Sequence, residues 1–308
     1  MQRPRERIIF TPEELEACRR LASLALDEDL GAIGDLTSDV LIPAERIGVA
    51  VIVARQAGVL AGLQAAELTF ALVDPTVMFE AVCPDGSLVQ KGDRLAVVSG
   101  RARALFRGER TALNFVQRLS GIATLTRRYV DAVEGLPCWI LDTRKTTPAW
   151  RLLEKYAVRQ GGGHNHRLGL YDEILIKDNH LAALTPPLSP PISGGDKGGD
   201  PVAEAVQLAR QKHGTAVPLE IEVDTLAQLE NALRAKPDMV LLDNMSLDDL
   251  RQAVRRRKEI APDVLLEASG GVTLETVRSI AETGVDRISV GALTHSAPAL
   301  DIGLDYLP

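Results

Sequence analysis

Aromatic residues and cysteine are scarce in this sequence. Phe, Trp and Tyr make up 4% of its 308 residues while 45% are hydrophobic, so aliphatic side chains must fill the core. The three cysteines, Cys18, Cys83 and Cys138, are far apart and form no CxxC pair or Cys/His cluster. This spacing excludes the common zinc and dithiol motifs, and we expect inert core thiols.

Long apolar runs are also missing. No stretch is long enough to span a bilayer, and the opening residues, MQRPRERIIF, lack the apolar segment of a signal peptide. The sequence therefore predicts a cytoplasmic protein. Its formal net charge of −7 argues against nucleic acid or an anionic membrane as the partner. An anionic substrate would need a local patch of cations.

The first part of the chain combines a capped helix with short strand-like runs. Thr11-Pro12-Glu13-Glu14 predicts the helix start, with a stop near Gly31 and a buried face of Leu15, Cys18, Leu21, Leu24 and Ala25. Aliphatic runs and turn signals over residues 49–100 predict strands around a helix at 63–72. We expect an N-terminal domain of residues 1–112, with residues 297–308 packed against it.

From Arg110 onward, helical and strand-like segments alternate. A long helix is predicted over 111–133, and the apolar strand candidates are 138–141, 174–176, 219–223, 239–242, 264–267 and 287–290. Helices are expected to start at Thr225, Ser246 and Thr273, the last ending at Gly284. This alternation predicts parallel strands and a barrel over residues 113–296. The Pro- and Gly-rich stretch 185–201 has neither the hydrophobic period of a helix nor that of a strand, and it is expected to be an inserted surface loop.

Polar residues follow nearly every predicted barrel strand, at the end where parallel barrels carry their active sites. Cations dominate this set: Arg110 at the domain junction, then Arg144, Lys145, His166, Arg167 and Lys177. So many cations in an acidic protein predict a highly anionic ligand. Because Arg grips carboxylate or phosphate with two hydrogen bonds and Lys acts as a point charge, the mixture suits a ligand with both groups.

Two acidic residues stand among these cations. Glu222 and Asp243 end separate predicted strands, and carboxylates of this type hold Mg²⁺ that bridges to substrate phosphates. The alternative is a structural salt bridge to Lys145 or Lys177. Glu220 lies two residues before Glu222 on the same face of an ideal strand, so the two are easily confused.

The last two predicted strands end in a pattern typical of phosphate binding. Ser269-Gly270-Gly271 precedes the helix predicted at Thr273, and Gly291 lies in the run 289–294 on the final strand. Backbone N–H groups and a helix N-terminus would hold a terminal phosphate there. Many barrels with phosphorylated substrates share this pattern.

Together these motifs resemble the quinolinate phosphoribosyltransferase family, in order and over nearly the whole chain. The matching segments are residues 34–38, 109–114, 119–124, 142–148, 161–167, 176–180, 220–223, 241–244, 267–271 and 289–296. The Pro/Gly insertion after Leu184 is the one departure, and it touches no motif.

The resemblance implies an N-terminal α/β sandwich joined to an incomplete, seven-stranded α/β barrel. It implies transfer of a phosphoribosyl group from phosphoribosyl pyrophosphate (PRPP) to quinolinate, with loss of CO₂ and pyrophosphate and with Mg²⁺ as cofactor, to give nicotinate mononucleotide. It also implies a homodimer or higher oligomer in which Arg110 acts in the partner's active site.

The resemblance further implies a role for each matching residue. Arg110, Arg144, His166, Arg167 and Lys177 would surround the two quinolinate carboxylates, with Thr143 as a further substrate contact. Lys145 would act near the pyrophosphate and ribose, and Glu222 and Asp243 would hold Mg²⁺ and the ribose hydroxyls. The 5′-phosphate would bind at Ser269, Gly270 and Gly291. Lys145, Glu222 and Asp243 are thus the expected catalytic residues.

Other functions agree with parts of the pattern. A related pyrophosphorylase-like protein with a different substrate would share the fold. A Schiff-base aldolase would use Lys145 or Lys177 as its nucleophile, although paired arginines and a phosphate pattern exceed what it needs. A non-catalytic sensor of phosphorylated ligands would explain the cations but not Glu222 and Asp243.

Overall fold

A computed structural model describes residues 9–184 and 201–307, which form two compact units. Unit 1 runs up to Val130 and adds Lys145–Asn165 and the chain from Gly291 onward. Unit 2 comprises Asp131–Arg144 and His166–Val290. The insertion predicted at 185–201 lies outside the described residues except for Pro201.

Unit 1 is a helix-covered antiparallel sheet. With elements numbered along the whole chain, it contains α1 (Pro12–Leu30), α2 (Leu36–Leu41), β1 (Ile47–Ala54), β2 (Gly58–Val59), α3 (Leu63–Val73), β3 (Met78–Ala81), β4 (Leu88–Val89), β5 (Arg94–Arg101), α4 (Ala102–Ala132), α5 (Arg151–Gln160), α11 (Ala292–His295) and β12 (Ile302–Leu307). The sheet order is β12-β1-β5-β3, and the short strands β2 and β4 pair separately. Ile52, Phe70, Leu95, Leu105 and Leu113 belong to its core.

The C-terminal strand completes the sheet of unit 1. β12 pairs antiparallel with β1, from Val49 opposite Leu307 to Ala54 opposite Ile302. The domain boundary predicted between residues 112 and 113 falls inside α4, which starts nine residues before the predicted helix start at Thr111. Ala102, Leu105 and Gly108 are buried and continue the inner face of α4 toward its start, so no break occurs there.

Helix α1 begins as predicted but buries a different face. Thr11 and Glu14 form the complete capping box, and the chain leaves the helix at Gly31. The buried residues are Glu14, Cys18, Ala22 and Leu26, whereas Leu15 and Leu24 are 40% and 66% exposed. The predicted face was therefore wrong for these two leucines. Glu14 turns inward because its carboxylate caps the helix and pairs with Arg159.

Unit 2 is a parallel sheet with helices between its strands. Its elements are β6 (Trp139–Leu141), β7 (Ile174–Ile176), α6 (Asp178–Leu184), α7 (Pro201–His213), β8 (Leu219–Val223), α8 (Leu226–Ala235), β9 (Met239–Asp243), α9 (Leu247–Ile260), β10 (Leu265–Ser269), α10 (Val277–Ala281) and β11 (Arg287–Ser289). The strand order is β6-β11-β10-β9-β8-β7. Every neighbouring pair is parallel, so all six described strands end at the same edge.

This architecture confirms the predicted α/β sandwich and incomplete barrel. All six strand candidates are strands, and the described residues thus contain one strand fewer than the seven implied by the resemblance. Thr225 and Ser246 cap α8 and α9 as expected. The helix expected to start at Thr273 was misplaced, because α10 starts only at Val277 and is five residues long. The final strand also ends at Ser289, before the predicted Val290.

Two of the three cysteines are buried. Burial raises the pKa of Cys18 and of Cys138 to about 12, which keeps both as thiols. Cys83 is only partly buried but packs against the core of unit 1, so the expectation of a core thiol is confirmed only in part for that residue. No helix within residues 9–184 and 201–307 is long and apolar enough to cross a membrane.

Candidate active site

The edge of unit 2 where its strands end brings together Lys177 and Glu222. Ile176 of β7 is in register with Ile221 of β8, so the next residues on the two strands are Lys177 and Glu222. The Lys177 Nζ donates to Glu222 Oε2. The lysine side chain is 41% exposed and the glutamate side chain 17%, so the ion pair lies at the surface end of the strands. The salt bridge considered as an alternative for Glu222 is therefore present.

Asp243 and Ser269 end the next two strands at the same level. They are register partners across β9 and β10. Asn244 follows Asp243 in a left-handed conformation, donates from its side chain to Asp243 Oδ2 at 2.8 Å, and donates from its backbone to Ser269 O at 2.9 Å. The Asn244 amide thus fixes the Asp243 carboxylate and ties together the ends of both strands.

Gly270 makes this arrangement possible. Its φ is +94°, and a Cβ placed there would lie 2.2 Å from Asn244 Oδ1. Any side chain at this position would displace the Asn244 amide, so packing as well as the backbone angle favours glycine in the Ser269-Gly270 turn. The helix N-terminus expected close behind it is absent, since α10 begins at Val277.

His166 lies inside unit 2 among buried carboxylates. Its backbone N–H donates to Asp142 Oδ1 at 2.9 Å, and its Nδ1 accepts the backbone N–H of Arg167 at 2.7 Å. The opposite ring nitrogen, Nε2, lies 3.1 Å from Glu220 Oε2 and 3.4 Å from Glu267 Oε1. Both glutamate side chains are fully buried. The ring is therefore held from both sides.

The electrostatics of this group favour a proton between His166 and the glutamates. Burial alone lowers the pKa of His166, but its contacts with Glu220 and Glu267 outweigh burial and raise that pKa to about 10. Burial and the nearby Glu267 raise the pKa of Glu220 to about 7. A second ring proton on His166 would have to displace the Arg167 N–H from Nδ1. A proton on Nε2, facing the glutamates, is common to both protonation states.

The remaining predicted residues of unit 2 follow β6 or His166. Arg167 is buried and donates to the backbone oxygen of Glu173 at 3.2 Å. Thr143 and Arg144 come two and three residues after Leu141, the last residue of β6, and both are half-buried. Leu141 is in register with Ser289 of β11. Arg144 is followed directly by Lys145, the first residue of the second segment of unit 1.

Three predicted site residues belong to unit 1. Lys145 is exposed, and its backbone oxygen accepts the Thr294 hydroxyl at 2.8 Å. A Cβ on Gly291 would lie 3.2 Å from the Lys145 side chain and 3.0 Å from His295 Nε2, so this glycine accommodates both. Arg110 is exposed on α4 and forms no ion pair within the described part of the chain.

Several residues around these positions were not predicted. Glu267 was missed because it sits inside an apolar strand, and Glu220 had been noted only as a residue easily confused with Glu222. The spacing of Glu220 and Glu222 could have indicated that Glu220 belongs near the site. Residues two apart on a strand face the same side, and both of these residues carry charge. Asn244 and His295 were within matching motifs but had been given no role. Only the contacts distinguish them.

Glu222 and Asp243 have the chemistry of a magnesium site. Both carboxylates are half-buried at the ends of neighbouring strands. The contacts with Lys177 and Asn244 use Oε2 of Glu222 and Oδ2 of Asp243. Each carboxylate keeps a second oxygen, and hard oxygen ligands of this kind are those that Mg²⁺ prefers.

Known proteins match both units of the chain. The family described as "Quinolinate phosphoribosyl transferase, N-terminal domain" matches residues 35–120, and its C-terminal domain counterpart matches residues 122–305. A Mycobacterium leprae protein named nicotinate-nucleotide pyrophosphorylase [carboxylating] is 44% identical over 296 residues, covering 95% of this chain and 98% of that protein. A Nicotiana tabacum quinolinate phosphoribosyltransferase [decarboxylating] is 42% identical, and the match covers 91% of this chain and 80% of the tobacco protein.

Solved structures agree. The nicotinate-nucleotide pyrophosphorylase from Francisella tularensis superposes with a TM-score of 0.85 at 35% identity, covering 98% of this chain and 99% of that one. With both domains matched in order and relatives above 40% identity over nearly its full length, this chain belongs to the quinolinate phosphoribosyl transferase family.

Proposed function

We propose that this protein transfers the phosphoribosyl group of PRPP to quinolinate and releases CO₂ and pyrophosphate, forming nicotinate mononucleotide for NAD biosynthesis. The observation that carries the proposal is the row of Lys177, Glu222, Asp243 and Ser269 at the ends of the adjacent strands β7, β8, β9 and β10. This order places a cation, then two carboxylates, then a Ser-Gly turn along the edge of the sheet. Such a row suits a substrate that carries an acid group and lies beside a phosphorylated sugar.

The proposed chemistry breaks the bond between ribose C1 and pyrophosphate and forms a bond from C1 to the quinolinate ring nitrogen. Glu222 and Asp243 would stabilise positive charge on the ribose as the leaving group departs. Lys145 would neutralise the pyrophosphate. The bond from ring carbon 2 to its carboxylate then breaks and CO₂ leaves. The electron pair of that bond stays on carbon 2, where the adjacent positive ring nitrogen stabilises it until carbon 2 takes a proton from water. Arg110, Arg144, His166, Arg167, Lys177 and Thr143 would bind and orient quinolinate, and Ser269, Gly270 and Gly291 the 5′-phosphate.

Mg²⁺ is the proposed cofactor, held by Glu222 and Asp243 directly or through water. When bound it supplies positive charge to the pyrophosphate of PRPP. The support is the pair of half-buried carboxylates at neighbouring strand ends. We expect EDTA to abolish turnover and Mg²⁺ to restore it, with D243N requiring more Mg²⁺ than the wild type. Full activity in EDTA would contradict this role.

The direct test is release of labelled CO₂ from carboxyl-labelled quinolinate. The reaction is run with PRPP and Mg²⁺ and then with each component omitted, while nicotinate mononucleotide is followed by chromatography. We expect release only in the complete mixture. No release from folded protein would reject the proposal and favour a relative with another aromatic acid as substrate. Trapping of a carbonyl substrate by borohydride would instead indicate the aldolase.

We also propose that the protein is a homodimer in which Arg110 acts in the partner's active site. On unit 1, Leu36, Val40 and Leu41 of α2 are 65%, 82% and 72% exposed, an apolar surface of the kind found at interfaces. Asp39 of the same helix is held by Arg107 of α4 at 2.6 Å. Arg110 lies three residues further along α4, on the side where α2 is attached.

Mixed dimers test this arrangement. R110A and K145A are each expected to be nearly inactive. If Arg110 acts in the partner's site, a dimer with one chain of each variant has one site with both residues native. Random mixing would then restore about a quarter of wild-type activity. If Arg110 acts within its own subunit, every site keeps one defect and mixing restores no activity. A mixture that contains mixed dimers but shows no recovered activity would therefore reject the arrangement.

A further inference from the structure

The His166 cluster contains two buried acids to which the proposed function gives no role. Glu220 and Glu267 come from different strands, β8 and β10, and converge on the same ring nitrogen of His166. Fully buried carboxylates are costly unless a cation or hydrogen bond compensates them, so their presence in the interior needs a reason.

The surroundings of Glu220 show what it acts on. His166 is the only cationic residue in the described ranges that forms an ion pair with it. Neither oxygen of Glu220 makes an aligned hydrogen bond with the described residues. The ionisable groups that act on Glu220 are Glu267, His166 and Glu173, and the two like charges, Glu267 and Glu173, give no stabilisation. Within residues 9–184 and 201–307, His166 is thus the one favourable partner of Glu220.

Glu267 contacts the same ring nitrogen and is itself paired with a cation. Its second oxygen lies 3.1 Å from Arg287 Nε on the adjacent strand β11. Arg287 also contacts Met239 of β9. The ion pair with Arg287 holds Glu267 in place, so Glu267 and Glu220 together hold Nε2 of the His166 ring toward β8 and β10.

His166 passes this constraint to the next residue. With Nε2 facing the glutamates, Nδ1 points to the backbone N–H of Arg167 and accepts it at 2.7 Å. The His166 backbone is fixed in turn by Asp142, which follows β6. The ring therefore links the carboxylates of β8 and β10 to the backbone from which the Arg167 side chain starts.

We propose that Glu220 and Glu267 are positioning residues that act through His166, fixing the orientation of its ring and the backbone of Arg167 for binding of the quinolinate carboxylates. This inference rests on the proposed function for its kinetic test. The relevant groups come from every element around the ring: Glu220 from β8, Glu267 from β10, Arg287 from β11, Asp142 after β6, and Glu173 before β7, whose carboxylate lies 3.9 Å from Nδ1.

Two substitutions of Glu220 separate the effect of its charge from the effect of its hydrogen-bond acceptor oxygens. E220Q keeps the shape and an acceptor oxygen, whereas E220M keeps the length and removes both acceptors. Because a polar contact to a charged partner is lost, we expect E220M to raise the quinolinate KM about tenfold or more while the PRPP KM stays within about twofold. E220Q should recover most of this loss. Glu220 is preferred over Glu267 for the test because, among the residues that the structure describes, it has no second cation partner.

D238N is the matched control. Asp238 precedes β9 and its Oδ2 accepts the backbone N–H of Leu219, the first residue of β8, at 2.7 Å, so it ties the start of the strand that carries Glu220 to the start of β9. We expect D238N to lower the melting temperature without changing either KM. Equal changes of both KM values in E220M, or a change in neither, would overturn the positioning role and leave Glu220 as a structural residue.

A readout without substrate separates this inference from the proposed function. In protein labelled with ¹⁵N-histidine, the ring nitrogens of His166, assigned with an H166N variant, should shift in E220M and remain unchanged in D238N. An unshifted signal would overturn the inference even if quinolinate is the substrate. Metal analysis is also needed, because the ligand atoms of His166, Glu220 and Glu267 lie within 4.8 Å of one another, close enough to hold a metal ion. A stoichiometric transition metal lost in E220M would also overturn it.

Discussion

Substitution of Gly270 tests the link between strand ends and catalysis. G270A adds a methyl group that would lie 2.2 Å from Asn244 Oδ1 and 2.5 Å from its Cγ, at a backbone φ of +94°. A left-handed φ costs a non-glycine residue about 1–2 kcal/mol, and overpacking costs about 1–3 kcal/mol more. We therefore expect G270A to lower the free energy of unfolding by about 2–5 kcal/mol, measured by urea denaturation.

The neighbouring glycine supplies the control. Gly271 also has a positive φ, +60°, but a Cβ there would meet nothing within 4 Å. G271A should therefore cost only the backbone contribution, about 1–2 kcal/mol. Because displacement of Asn244 frees the Asp243 carboxylate, only G270A should also lower kcat/KM for PRPP.

A second substitution identifies the clash itself. N244G removes the amide that Gly270 accommodates and suits the left-handed conformation of residue 244, where φ is +53°. In the G270A background it should recover stability but not activity, since Asp243 still lacks its donor. Equal destabilisation by G270A and G271A, or no coupling between G270A and N244G, would refute the steric reasoning.

Three further predictions concern the site, a helix cap and the thiols. K145A should lower kcat about 10²- to 10³-fold with little change in quinolinate KM, because it removes charge that stabilises the leaving pyrophosphate; an unchanged kcat would reject that role. T11A should destabilise the protein by about 1 kcal/mol in urea, since Thr11 accepts the Glu14 N–H of the capping box, and an unchanged midpoint would show that the cap contributes nothing. At pH 8, a thiol reagent should label Cys83 much faster than Cys18 or Cys138, whose pKa values burial raises to about 12; rapid labelling of all three in folded protein would contradict their burial.

Local patterns in the sequence were enough for the elements and for most motifs. The capping boxes of α1 and α8, the glycine turns and the six barrel strands depend on residues close together in the chain, which is why they were predicted correctly. Short turns were harder to predict from the sequence. The segment after Thr273 was taken for a helix start, whereas Thr273 accepts backbone N–H groups in a turn before α10.

The sequence by itself determined the family, the α/β architecture and the set of charged residues that follow the barrel strands, because each motif is contiguous. Tertiary structure alone decided which of these residues meet. The register of β7 with β8 pairs Lys177 with Glu222, and the close approach of Asn244 to Gly270 fixes Asp243. The convergence of Glu220 and Glu267 on His166 joins residues 54 and 101 positions apart, and no local pattern encodes a contact made by the closing of a parallel sheet.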